Sequence, residues 1–359
     1  MARETNKLPT IFFCYPKLKA KGGAEKILLD LAGHVSYRFR VFVLTEDSRK
    51  EWETISSNKK FRHLYVPYGS KNIMKISVSL GILAFLLLRY EPDLVHTHHR
   101  RIALLFSLFR GLPFMKFKLI HTSHNVFHTG RLFKHARCDW LTGVSQAIVG
   151  NLIGFFRFDP KKVRLIYNGI EEYDRNIFHP QNNAAVIAAR LAVQKGHVYL
   201  IKAWAEIIRK VPDAILYIVG DGDLRKELEN QVHSLGLSGH IFFMGFSPNP
   251  REWMLKAKFG ILPSLWEGLP LFPLEAFSVK RTVVATAVDG TPEVVIDKKT
   301  GLLVPPRDIP ALAEAVIFMF QNHHARAEMA EEGYRLFKET FAKDMMLKKY
   351  DACYAEALT

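Results

Sequence analysis

The sequence predicts an α/β protein built as two doubly wound domains in tandem. Three observations carry this. Short apolar runs of strand length alternate with longer helical stretches along the chain. A polar segment without periodicity interrupts the alternation near residue 180. The length of 359 residues exceeds what a single core usually accommodates.

The elements follow in order. TIFFCY (10–15) reads as a strand, and the glycine turn KGGAEK (21–26) opens a helix, EKILLDLAGHV. RVFVLT (40–45), DLVHTH (93–98), FKLIHTS (117–123), WLTGVS (140–145) and VRLIYNG (163–169) repeat the strand pattern. The run ISVSLGILAFLLL (76–88) has 13 residues, short of the roughly 18–20 that a spanning helix needs. It reads as a buried helix of a layered domain. EEYDRNIFHPQNN (171–183) reads as a linker. The alternation then restarts with AAVIAAR (184–190), a helix to Lys210, AILYIVG (214–220), the helix LRKELENQVHSLG and HIFFMG (240–245). FGILPS (259–264), a helix at Leu274, TVVAT (282–286) and GLLVPP (301–306) complete it. In such sheets ligands bind at the carboxyl ends of the strands, here facing a cleft between the domains.

Composition narrows the setting. Hydrophobic residues make up 48% and charged residues 24%, which excludes a disordered chain. Cys14, Cys138 and Cys353 are too scattered for a disulfide framework or a metal site. MARETNKLPTIFFCY has neither the apolar run nor the cleavage site of a signal peptide, so a cytoplasmic protein is expected. The net charge of +15 is uneven: residues 1–170 hold 28 Lys+Arg against 11 Asp+Glu, and the remainder is nearly balanced. An anionic partner at the first half is implied. The segments 109–118, 131–140 and 154–162 interleave phenylalanine or tryptophan with Lys and Arg, as interfacial segments do. Contact with an anionic membrane on its inner face and a plain solvated basic face are level readings. No nucleic-acid reader module is visible, so nucleic acid is not expected as a partner.

The densest chemistry lies in PSLWEGLPLFPLEAF (263–277), where Glu267 and Glu275 stand eight positions apart in an apolar run. A helix starting near Pro270 or Pro273 would carry Glu275 in its first turns. The amides of Gly268, Leu269, Leu271 and Phe272 could then converge on an anion, aided by the helix dipole. Both carboxylates could accept from hydroxyls. Spacing alone leaves this level with a reading in which Glu275 caps its own helix and Glu267 is solvated. Arg190 and Lys195 follow a strand and suit a diphosphate, although such a pair is ordinarily solvated surface. Gly22 and Gly23 could cradle phosphate with their amides, although a glycine pair is more often plain turn geometry. Asp221-Gly222-Asp223 has the D-x-D form of a metal site, but Asp223 as a helix N-cap is the favoured reading. His124 follows a strand. His121 lies within that strand and is expected to be buried and satisfied. His96, His98 and His99 have no carboxylate or cysteine at ligand spacing. Asn168 and Gly169 read as turn residues at the rim of the cleft.

PSLWEGLPLFPLEAF resembles the E-x7-E signature of family-4 retaining glycosyltransferases. KGGAEK, DLVHTH, HTSHN (121–125), VSQAI (144–148), VRLIYNGI, ARLAVQKG (189–196), VGDGDLRKELE (219–229), FFMGF (242–246) and DGTPEVVIDKKTGLLVPP (289–306) agree with that family in order. The resemblance covers nearly the whole chain. The fold it implies is GT-B, two Rossmann-like domains facing a cleft. Residues 1–172 would form the acceptor-side domain and 182–340 the nucleotide-sugar domain. Residues 341–359 would form a C-terminal helix returning to the first. It implies that Glu275 binds ribose hydroxyls, that Glu267 and His124 lie at the donor sugar, and that Arg190 and Lys195 hold the donor phosphates. Gly22, Gly23, Gly245, Gly268, Leu269, Leu271 and Phe272 complete the implied donor site. The chain departs from the family at Ser278-Val279-Lys280-Arg281, where a glycine is usual, so the turn before TVVAT is open.

The implied activity is transfer of a sugar from a nucleotide diphosphate sugar to a hydroxyl of a glycan or glycolipid acceptor, as in lipopolysaccharide or exopolysaccharide synthesis. No cofactor and no metal are expected. Two rivals are a sugar-nucleotide epimerase of similar fold and a non-catalytic nucleotide-binding subunit.

Overall fold

The computed structural model describes residues 8–18, 22–55, 61–68, 73–173, 180 and 182–359. The interior of the expected linker, 174–179 and 181, and Lys21 of the glycine turn lie outside the described residues. The chain forms two compact units: Met1–Ile166 with Met346–Thr359, and Tyr167–Met345.

The first unit is built on seven parallel strands: β1 (Thr10–Cys14), β2 (Arg40–Thr45), β3 (Arg62–Tyr65), β4 (Leu94–Thr97), β5 (Lys118–Ser123), β6 (Trp140–Gly143) and β7 (Val163–Leu165). Their order is β3-β2-β1-β4-β5-β6-β7, so the winding reverses between β1 and β4. β1 and β4 are buried along their whole length because helices cover both faces; β1 therefore reads as a nearly continuous apolar run, while β4 buries His96 and Thr97 with hydrogen-bond partners. β3 was not anticipated: RHLY carries little apolar signal because it is an edge strand, exposed at both ends. Its place comes from pairing with β2 and from a 2.8 Å hydrogen bond between the His63 ring and Thr45.

The helix Ile73–Tyr90 qualifies the reading of 76–88 as a buried helix of a layered domain, since one face of it is buried and another is exposed. Leu83, Leu86 and Leu87 face the core, while Val78, Phe85 and Leu88 are exposed. Among the described residues no helix is long and apolar enough to cross a membrane. The C-terminal helix Lys343–Leu358 places Tyr350 and Tyr354 in the core of this unit. The Tyr354 hydroxyl bonds His96 Nδ1 at 2.8 Å, and the Tyr350 hydroxyl bonds Thr122 at 3.0 Å.

The second unit has six parallel strands: β8 (Ala184–Ala188), β9 (Ile215–Val219), β10 (Ile241–Gly245), β11 (Phe259–Leu262), β12 (Val283–Thr286) and β13 (Gly301–Val304). Their order, β10-β9-β8-β11-β12-β13, reverses between β8 and β11. The helices His197–Lys210 and Ile309–Gln321 pack on it, with Trp204 fully buried against Phe320. Burying a side chain of this kind contributes about 1.5–3 kcal/mol. This unit starts at Tyr167, ahead of the boundary expected at 172. Ile170 bridges Ala342 in parallel, and Glu171 and Glu172 pair with Lys343 and Lys338. Asn168, read as a rim turn, is buried.

The turn before β12 is resolved by Lys280. It takes a left-handed φ of 52°, the conformation that a glycine would adopt there, and the Arg281 amide reaches back to Ala276 O at 2.9 Å. The lysine ammonium pairs with Glu331 and lies over the Tyr334 ring, which holds the strained position.

Candidate active site

In the second unit the site forms where β8, β9, β10 and β11 end. Gly196 brings two of these loops together. It has φ +65°, and a Cβ there would lie 2.0 Å from Pro263 O, so only glycine permits the approach. Leu265 N then donates to Gln194 O at 2.7 Å, and Gln194 Nε2 donates to Trp266 O at 2.8 Å. These bonds set Lys195 beside Glu267. Gly220, with φ +145°, makes the equivalent approach to Ala189 O, and its amide donates to Gly245 O at 2.7 Å. Gly245 thus closes β10 at a left-handed φ of 74°.

Glu267 is buried. Its Oε1 accepts from Lys195 Nζ at 2.5 Å and from Ser264 Oγ at 2.6 Å. Its backbone amide donates to Asp289 Oδ2 at 2.8 Å. The solvated reading of Glu267 is therefore overturned: a lysine and a hydroxyl compensate the carboxylate inside the protein. Arg190, by contrast, is exposed and makes no ion pair among the described residues. The two cations expected to act together on a diphosphate thus stand in different states, one engaged and one open.

The helix carrying Glu275 is Leu271–Phe277, with Pro270 at its N-cap and no side-chain cap. Glu275 lies in its interior and is half-buried, so it does not cap its own helix. Gly268, Leu269 and Phe272 are buried, and Phe272 packs over Gly260. The first-turn amides of Leu271 and Phe272 lead this helix. Asp223 is not the N-cap of the next helix over: Arg225–Ser234 is capped by Leu224. The turn is held by Leu224 N on Leu191 O and by Arg225 N on Gly222 O, which delays the helix past Asp223.

In the first unit the histidines gather where β4 and β5 end. His98 Nδ1 lies 2.9 Å from His124 Nε2, and the two rings stack 5.2 Å apart. His96 is fully buried with both ring nitrogens bonded, to Tyr354 and to Thr122. His121 corrects its expectation in part: Nδ1 meets Thr97 Oγ1 at 3.0 Å, but the buried Nε2 has no partner among the described residues. Burial pushes His96 down to about 3 and His124 down to about 4, so both rings are neutral at pH 7. Among the described residues no group of three or more His, Cys, Asp or Glu is arranged to hold a metal ion.

The glycine turn behaves differently from the expectation. The Gly22 amide donates to Glu25 Oε2 at 3.2 Å. Glu25 thus fills the place in which phosphate would meet that amide. Gly23 opens the helix Gly23–Val35. The Gly-x-x-Glu spacing was legible as a capping signal. Ser264, Asp289 and Gln194 were not singled out, and His98 was weighed only as a metal ligand, because their roles depend on partners distant in sequence.

Two parallel sheets that each reverse their winding, the second with a carboxylate, a lysine and glycine-closed loops at its carboxyl edge, define the GT-B class of fold. The family model described as Glycosyltransferase Family 4 matches residues 21–172, and that of Glycosyl transferases group 1 matches residues 170–336. The chain belongs to the family-4-type GT-B glycosyltransferases. It is 33% identical over 144 residues to the alpha-D-kanosaminyltransferase of Streptomyces kanamyceticus, covering 40% of this chain. That match spans 37% of the kanosaminyltransferase's own length. It is 25% identical to the N-acetylgalactosamine-N,N'-diacetylbacillosaminyl-diphospho-undecaprenol 4-alpha-N-acetylgalactosaminyltransferase of Campylobacter jejuni, over 85% of this chain and 88% of that one. Among solved structures, Anabaena Alr3699/HepE in complex with UDP superposes with a TM-score of 0.83 at 19% identity, over 97% of this chain and all (100%) of that one. At that identity the likeness shows the fold alone.

Proposed function

We propose that the protein is a retaining glycosyltransferase that moves a sugar from a nucleotide diphosphate sugar to a hydroxyl of a lipid-linked glycan, of the kind used in lipopolysaccharide or exopolysaccharide synthesis. The observation that carries the reading is the buried Glu267 carboxylate bonded to Lys195 and Ser264, followed eight residues later by Glu275 on a helix with no side-chain cap. The Campylobacter relative is named for a diphospho-undecaprenol acceptor, and the Anabaena protein was solved with UDP.

In this reading Glu275 accepts from the ribose hydroxyls. Arg190 and the amides of Leu271 and Phe272 take the diphosphate, and Lys195 turns to it from Glu267 when the donor arrives. Charge developing on the leaving diphosphate is then met by fixed cations and dipoles, without a divalent metal. Glu267 and His124 take hydrogen bonds with the transferred sugar. No carboxylate is assigned as a covalent nucleophile.

The basic first unit takes the acceptor's phosphates and rests on an anionic membrane. Structure redirects the apolar part of that contact. Phe133 and Phe156 are buried and pack on each other and on Phe158, so the phenylalanines of 131–140 and 154–162 largely serve the core. Leu108, Leu112, Phe114 and Leu132 are the exposed apolar residues among the basic ones.

The test is a panel of nucleotide sugars, read by thermal stabilisation and by slow donor hydrolysis. Anomeric configuration of the transferred sugar is then read by proton NMR. Stabilisation by one nucleotide class with retained configuration is expected. An inverted product would refute retention, an epimerised donor would favour the epimerase, and no turnover with any donor would favour a binding subunit.

A further inference from the structure

We propose that His98 is a positioning residue that holds His124 in the tautomer protonated on Nδ1, so that His124 offers a ligand hydroxyl a hydrogen-bond donor and no lone pair. The proposal rests on the reading of His124 as the ligand-facing histidine and adds its chemical role.

His98 stands just beyond β4, where its backbone amide donates to Cys14 O at 3.1 Å. Its side chain is buried against Phe13 and His96. Nδ1 is 2.9 Å from His124 Nε2, and the planes are tilted by 19°. Two neutral imidazoles can share this bond in two ways. If His124 donates from Nε2, the His98 proton must sit on its own Nε2. That nitrogen is buried and has no partner among the described residues. The result would be an orphaned N–H, the costlier kind of unpaired buried group. If His98 donates from Nδ1, its Nε2 is a bare nitrogen and no donor is stranded. The second arrangement is therefore favoured. It makes His124 Nε2 the acceptor and leaves the His124 proton on Nδ1.

The rest of the cluster agrees. His96 has both nitrogens engaged, and His121 has one engaged and one buried. His124 is half-buried, and it makes no hydrogen bond besides the one to His98 among the described residues. Burial holds both rings uncharged, with His96, His124 and His121 adding to the depression at His98. A neutral N–H with its lone pair already occupied can stabilise oxygen. It cannot remove a proton. His124 is thus a donor to substrate oxygen and not a general base.

The test uses the full chain labelled with nitrogen-15 histidine. Long-range nitrogen–proton correlation spectra distinguish a protonated ring nitrogen from a bare one, and His124→Gln and His98→Asn assign the signals. Nδ1 protonated and Nε2 bare at His124 is expected; the reverse overturns the proposal. Two variants add a functional readout. His98→Leu replaces an unpaired buried nitrogen by apolar volume, so Tm should hold or rise. Its kcat should fall about tenfold, because the His124 tautomer is no longer fixed. His98→Asn, whose amide can donate near the Nδ1 position, should recover most of the kcat. A packing role ranks these variants the other way, with Leu better than Asn, and that ranking would also overturn the proposal. Unaltered transfer in His124→Gln would defeat the ligand-facing reading instead, while the spectra still decide the tautomer.

Discussion

Removing Lys195 should do two separable things. The Glu267 carboxylate has 7% of its side-chain surface exposed and depends on Lys195 at 2.5 Å and Ser264 at 2.6 Å. Stripping one partner from a buried ion pair typically costs 3–5 kcal/mol, because the remaining charge is uncompensated. Here Ser264 stays in place and the lysine side chain is 21% exposed, so water can enter. The expected loss for Lys195→Met is therefore lower, about 2–3 kcal/mol, or roughly 5–10 °C in the melting of the second unit. Adding Glu267→Gln removes the stranded charge and should return most of that stability without restoring transfer. A coupling of more than about 1 kcal/mol is thus expected from the double-mutant cycle, measured by urea denaturation. Calorimetry with a nucleoside diphosphate supplies the second readout. Lys195→Met should bind it more weakly. Glu267→Gln alone, which frees the lysine, should bind it at least as tightly as wild type. A coupling below about 0.5 kcal/mol, the level of an exposed pair, would refute the account of Glu267 as a carboxylate compensated inside the protein.

Glu275→Ala should weaken nucleoside diphosphate binding by about 1–3 kcal/mol, the size of charge-assisted hydrogen bonds to ribose; unchanged affinity in calorimetry would end that assignment. Transfer should survive exhaustive chelation, and a loss that only manganese or magnesium restores would return Asp221-Gly222-Asp223 to the mechanism. The pKa of His96 is depressed to about 3 when folded, so the unfolded chain binds more protons below pH 6.5. Its contribution is present above pH 6.5 and is lost as the pH falls towards 3, by about 2 kcal/mol at pH 5. A melting temperature that is flat from pH 7 to pH 5 would show that the ring is not buried neutral. Binding to anionic vesicles should weaken with salt and fall in Leu112→Ser with Phe114→Ser, and equal sedimentation with neutral vesicles would remove the membrane from the reading.

Much of the architecture was legible because central parallel strands are buried on both faces. Such strands are dominated by apolar residues, and β1, β8 and β11 announce themselves at the right positions. β3 and the interfacial segments were not legible for the converse reason. An edge strand needs little apolar signal, and a phenylalanine among lysines reads alike whether it faces lipid or, like Phe156, the core.

The sequence by itself determined the doubly wound class, the position of Arg190, Lys195, Glu267 and His124 just beyond strands, and that of Glu275 on the helix that follows. Those follow from periodicity and local spacing. Only the tertiary structure decided what each group touches. Lys195 meets Glu267 across 72 positions because Gly196 lets two loops close, and His98 meets His124 because β4 and β5 are neighbours. The Gly22 amide went to Glu25 instead of standing open. Partners of this kind are set by loop approach and strand order, which act over distances that no local pattern of residues records.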